Sequence, residues 1–85
     1  MFTVEYSKEA RKVLKSLPAD TARIIREKIE HLAVEPFAVN NNVKKLAGRP
    51  GYRLRVGDWR VIYEIQDQRV VILVLAIGPR GGVYQ

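Results

Sequence analysis

The sequence predicts a two-layer α+β domain in the order β-α-α-β-β-β, with a mainly antiparallel four-stranded sheet and an αα-hairpin packed on one face. Three observations predict it. Two apolar runs near the amino end recur with helical spacing and are separated by a proline. Three runs rich in β-branched and aromatic residues follow in the carboxyl half, divided by turn-forming pairs. The length of 85 residues suits one domain, 1–85, able to bury a single thin core.

Element by element, "FTVEY" (Phe2 to Tyr6) alternates apolar and polar residues and reads as a short strand. Ser7 suits a helix N-cap, because its hydroxyl can accept from a free backbone N–H. Ala10, Val13, Leu14 and Leu17 then fall at i, i+3, i+4 and i+7, one face of a helix that Pro18 ends. Ala22, Ile25, Ile29 and Leu32 repeat the spacing up to about Val34, with Asp20 or Ser16 as the expected cap. Two helices joined this tightly form an antiparallel hairpin. "EPFAVNNNVKKLAGRPG" (Glu35 to Gly51) reads as a connection with a short helical turn around Val43 to Leu46. Three strands follow, Tyr52 to Val56, Trp59 to Ile65 and Arg69 to Ile77, joined by turns at Gly57-Asp58 and Asp67-Gln68. The apolar run "VVILVLAI" in the third has no alternation, which predicts a strand covered on both faces or central in its sheet.

Composition narrows the function classes. There are no cysteines, which removes disulfides and thiolate metal sites. The only histidine, His31, sits in a helical run without a cluster of carboxylates, so no metal site is expected. "MFTVEYSKEARK" turns polar at once, and the run Val70 to Ile77 falls far short of the ~20 residues that span a bilayer; the expectation is a soluble cytoplasmic protein with no membrane partner. Fifteen Lys plus Arg against nine Asp plus Glu give a net charge of +6, which draws a small domain to polyanions.

The charge is concentrated in "GYRLRVGDWRVIYEI". With Gly57-Asp58 as a two-residue loop, Val56 faces Trp59, Arg55 faces Arg60, Leu54 faces Val61, Arg53 faces Ile62 and Tyr52 faces Tyr63. One face then carries Tyr52, Leu54, Val56, Trp59, Val61 and Tyr63; the other carries Arg53, Arg55, Arg60, Ile62 and Glu64. Like charges directly opposite each other destabilise a hairpin, and Glu64 alone cannot neutralise three guanidiniums. Either an anion fills the gap, with phosphate matching the guanidinium fork, or the arginines are solvated and cover apolar surface with their stems. Arg80 follows the third strand, whose antiparallel course returns it to the level of Trp59 and Arg60. Tyr84 lies close behind on two glycines.

Along nearly its whole length the chain resembles the RelE/ParE superfamily of bacterial and archaeal type II toxins. "FTVEYSKEARKVLKSLP", "KKLAGRPGYRLRVGDWRVIYEI" and "VLAIGPRGGVY" carry the likeness, and "YRLRVGDWRVIYEI" is its most specific piece. The resemblance implies a toxin silenced by a cognate antitoxin, expected to be acidic and to fold as it wraps the basic surface. It also implies a hetero-oligomer that binds operator DNA through the antitoxin. In the RelE branch the target is messenger RNA on the ribosome, cut without a cofactor; in the ParE branch it is DNA gyrase. Matched residue by residue, the two basic strand positions of RelE-type toxins fall on Arg53 and Arg55. Their next-strand arginine falls on Arg60, the arginine after the third strand on Arg80, and the tyrosine near the carboxyl end on Tyr84. RelE itself carries lysines where this chain has Arg53 and Arg55, and a guanidinium stays charged, so neither is suited to be a general base. The resulting expectation assigns Arg60, Arg80, Tyr84 and Arg55 to catalysis, and Arg53, Lys44 and Lys45 to substrate binding.

Overall fold

The computed structural model describes residues 1–81. Within them the elements run β1 (Thr3–Tyr6), α1 (Lys8–Ser16), α2 (Ala19–Val34), β2 (Val43–Lys45), β3 (Tyr52–Val56), β4 (Trp59–Gln66), a 3-10 turn (Asp67–Arg69) and β5 (Val71–Pro79). The strands form one sheet in the order β1-β5-β4-β3-β2, parallel between β1 and β5 and antiparallel elsewhere. This is the expected α+β domain with one strand more than the four predicted. No described helix is long and apolar enough to cross a membrane.

The core lies between the helix pair and one sheet face. Ala10, Leu14, Ala22, Ile25, Ile29 and Leu32 from the helices meet Leu54, Val56, Val61, Tyr63, Ile72, Val74 and Ile77 from the strands. Helical spacing and strand alternation assign all of these to it except Ile72, Val74 and Ile77, which come from the interior strand β5. Val13, Leu17, Tyr52 and Trp59, expected on the same faces, are partly buried against it. Ser7 caps α1 as expected: its Oγ accepts from the Ala10 amide at 3.0 Å. The same hydroxyl donates to the Leu75 carbonyl at 2.7 Å. Leu75 is the unpaired residue of a bulge, since Ile62 stands opposite Ala76 while Tyr63 stands opposite Val74. One side chain thus starts a helix and ties it to the irregular point of β5.

Four local expectations are corrected. Neither Asp20 nor Ser16 caps α2; Pro18 occupies the N-cap without a side-chain bond. The proline ring fixes φ and lets the helix begin at once, leaving Asp20 in the first turn, while the Ser16 hydroxyl donates back to the Val13 carbonyl of α1. The helical turn expected around Val43 to Leu46 is instead strand β2, with Val43 opposite Leu54 and Lys44 opposite Arg53. The asparagines before it make the turn that delivers it: the Asn42 amide donates to Asn40 Oδ1, the Val43 amide to the Asn40 carbonyl, and the Arg55 amide to the Asn42 carbonyl. The turn expected at Asp67-Gln68 is two residues longer, running to Val70, and Arg69 is spent in it, donating to Gln66 Oε1 and pairing with Glu5 at 3.2 Å. The last strand therefore runs from Val71 to Pro79 rather than from Arg69 to Ile77.

Candidate anion-binding site

Backbone pairing decides which side chains share a face. Across the β3–β4 hairpin the pairs are those read from the two-residue loop, Val56 with Trp59 and Arg55 with Arg60 through to Tyr52 with Tyr63. Gly57 sits in the loop at φ +58°, left-handed backbone that favours glycine. Arg53, Arg55 and Arg60 consequently project from the sheet face away from the helices, since their alternate neighbours enter the core. β5 brings the fourth cation. Trp59 pairs with Pro79 and Arg60 with Gly78, and the Arg80 amide donates to the Asp58 carbonyl at 2.8 Å, stitching the end of β5 to the hairpin tip.

Arg53, Arg55, Arg60, Arg80 and Gly81 line one open basin of about 430 Å³. Its lining holds four guanidiniums and no carboxylate. Arg60 Nη1 donates to the carbonyls of Gly57 and Trp59, at 3.0 and 2.9 Å, and Arg55 Nη2 donates to Asn42 Oδ1 at 3.0 Å. These acceptors are neutral. They orient the forks but leave the positive charge uncompensated, and among the described residues no carboxylate pairs with Arg55, Arg60 or Arg80. Asn42 is a residue that sequence reasoning passed over; as one asparagine of three in a connection, it gave no sign that it would reach Arg55.

The other expected residues are distributed differently. Lys44 and Lys45 are both exposed on β2 and outside the basin's lining. Lys44 pairs with Arg53 and extends the cationic face, whereas Lys45 pairs with Tyr52 and turns to the other side. Glu64 lines a separate hollow with Lys45, Pro50, Gly51 and Tyr52. Ile62 does lie on the arginine side of the sheet, yet it is buried. His31 is exposed on α2. Tyr84 lies outside the described residues.

One tyrosine is unsuited to proton transfer. Tyr63 stacks on Tyr52 with ring centroids 5.5 Å apart, and its buried hydroxyl finds no hydrogen-bond partner among the described residues. Burial, followed by the neighbouring Tyr52, pushes its pKa from 10.0 up to about 12. It faces the core, on the opposite side of the sheet from the basin.

Comparison with known proteins gives the architecture a context. Residues 4–84 match a family model described as the ParE toxin of the type II toxin–antitoxin system parDE. A putative toxin RelE1 of Methanocaldococcus jannaschii is 34% identical over 86 residues, covering 99% of this chain and 96% of that protein. Toxin RelG of Mycobacterium tuberculosis is 28% identical over 99% of this chain and 97% of its own length. Among solved structures, a chain of the archaeal RelE–RelB complex from Pyrococcus horikoshii is 36% identical. It superposes with a TM-score of 0.80 over 95% of this chain and 97% of its own.

Proposed function

The chain belongs to the RelE/ParE superfamily of type II toxins, and we propose that within it this protein is an endoribonuclease that cuts messenger RNA on the ribosome and so stops translation. The observation that carries this reading is the basin lined by four guanidiniums, in which Arg55 and Arg60 donate to neutral acceptors. Such a surface suits phosphate: planar guanidinium forks match phosphate oxygens two at a time, and no described carboxylate pairs with Arg55, Arg60 or Arg80.

The chemistry follows from what these side chains can and cannot do. Arginines hold and stabilise charge but do not accept protons. The nucleophile is therefore supplied by the substrate. The ribose 2′-oxygen attacks the adjacent phosphorus as its proton leaves, and the bond from phosphorus to the 5′-oxygen breaks. The 5′-oxygen takes up a proton, giving a 2′,3′-cyclic phosphate and a 5′-hydroxyl. Arg60 and Arg80 hold the scissile phosphate and stabilise the charge that builds on it in the transition state. Arg55 acts beside Arg60, Arg53 and Lys44 hold the flanking strand, and Lys45 makes a more distant backbone contact. Tyr84 takes or relays the proton, its phenol made more acidic by cationic neighbours. A site with so little acid–base machinery depends on its substrate being positioned for it, which is the service a ribosome performs.

The partner that restrains this activity is an acidic antitoxin, whose complex with the toxin binds operator DNA through the antitoxin. The relative solved as a RelE–RelB complex supports an antitoxin partner. Ribosomal action places the protein in the cytoplasm. A second reading rests on the ParE description of the matched family: a toxin that binds DNA gyrase without cutting RNA.

The test uses messenger RNA bound to ribosomes and compares wild type, Arg60→Ala and Tyr84→Phe. Arg60→Ala is expected to lower the cleavage rate about 10²- to 10³-fold, the usual loss for one preorganised charge-stabilising donor. Equal cutting by all three proteins would remove the basin from the mechanism. Intact message with inhibited gyrase would favour the second reading.

A further inference from the structure

A second concentration of charge lies on the opposite layer of the molecule. Lys8, Arg11, Lys12 and Lys15 follow one another on α1 at i, i+3, i+4 and i+7 and together border a surface hollow of about 290 Å³. All four are exposed, and at about 100° per residue they share an arc of about 100° on the helix. The buried face of α1, centred on Ala10 and Leu14, is directed at the sheet, so the cations point away from it and from the basin beyond. Each i,i+3 and i,i+4 neighbour within the stripe is a like-charged pair, an arrangement that weakens a helix. Among the described residues no carboxylate forms an ion pair with any of the four. Arg11 donates to the Tyr6 carbonyl at 3.2 Å, again a neutral acceptor.

We infer that this stripe is a second RNA-binding surface, one that grips the phosphates of double-stranded RNA while the basin holds a single strand. The inference rests on the ribosomal reading above and specifies how the toxin is held there. Two features select RNA over a protein partner. A protein interface has an apolar centre with charges at its rim, and the outward face of α1 offers none: the exposed large apolar residues are Met1, Ile24, Val34, Phe37, Val39 and Val70, all elsewhere. The stripe is also three parts lysine and runs along one exposed helix face. It suits point contacts to the phosphates and 2′-hydroxyls that border the wide, shallow minor groove of A-form RNA, rather than envelopment of a flexible strand. Because the two cationic surfaces face opposite ways, one RNA element cannot occupy both. The toxin is held between the message and a structured RNA.

The test replaces three lysines together, Lys8→Gln, Lys12→Gln and Lys15→Gln, and measures affinity for a short blunt RNA duplex over a range of salt. The variant is expected to bind at least about tenfold more weakly, and the slope of log K against log salt to fall by about 0.9 for each lysine that met a phosphate. Arg60→Ala should leave duplex binding unchanged. On programmed ribosomes the triple variant should show a raised KM with kcat intact, and its melting temperature should not fall. Unchanged duplex affinity and slope would overturn the inference. So would equal dependence for B-form DNA, or lost antitoxin affinity with duplex binding intact, which would mark a protein contact. If wild type cuts no message but its duplex binding still depends on the three lysines, the nuclease reading fails and the stripe stands.

Discussion

At the scale of single residues, charge and burial are sorted onto opposite faces of one hairpin, and each side makes a separate prediction. On the basin side, Arg60 should be replaceable by lysine only in part. A lysine keeps the charge but lacks the fork that donates to the Gly57 and Trp59 carbonyls, so Arg60→Lys should cut ribosome-bound message at a rate between those of wild type and Arg60→Ala. On the core side, Tyr63 carries a buried hydroxyl with no partner among the described residues. Tyr63→Phe keeps the ring and removes that group, so stability should hold or rise by about 1 kcal/mol in denaturant unfolding at neutral pH. The pH dependence has a definite sign. A phenol with its folded-state pKa raised from 10.0 to about 12 binds its proton more tightly in the folded protein. Its contribution is whole below pH 10.0 and is lost as pH climbs towards about 12. Tyr6 is shifted the same way, by burial first and then by Glu30, and adds to the loss. Wild type should therefore lose stability above pH 10.0, and Tyr63→Phe should lose less; identical alkaline unfolding curves would contradict the assignment.

At the scale of elements, two backbone positions carry local strain or tight contact. Val70 closes the 3-10 turn at φ 56°, left-handed backbone that is costly for a β-branched residue. It is also exposed, so Val70→Asn loses little packing and should stabilise the fold by about 1 kcal/mol. Gly51 enters β3 at φ 108°, and a Cβ there would stand 3.0 Å from the Tyr63 carbonyl oxygen. Gly51→Ala should destabilise the protein by about 1–3 kcal/mol, read as a lower melting temperature. How far elements could be read from the sequence follows from where their information resides. The β3–β4 register was legible because a two-residue loop and strict alternation fix every cross-strand pair locally. β2 was not: three residues long, it is too short to show alternation, and it is a strand only because the edge of β3 offers it backbone partners. Missing β2 also hid the difference between Lys44 and Lys45, since neighbours on a strand point to opposite faces while neighbours in a loop need not. The convergence of Arg80 on Arg60 could be inferred from strand direction; the contact that secures it, from the Arg80 amide to the Asp58 carbonyl, could not.

At the scale of the whole molecule, a surplus of six positive charges is carried on two layers facing apart. A toxin of this charge should bind an acidic antitoxin more weakly as salt rises, and more steeply than a neutral pair of the same interface area. On the nuclease reading proposed above, the natural occupant of the arginine basin is the sugar-phosphate backbone of RNA undergoing attack by its own 2′-oxygen. The chemical ends of message cut on ribosomes test that claim most directly. Wild type should leave 2′,3′-cyclic phosphates paired with 5′-hydroxyls, and Arg60→Ala should leave the same ends in much smaller yield; 5′-phosphate ends, or message left whole, would contradict it.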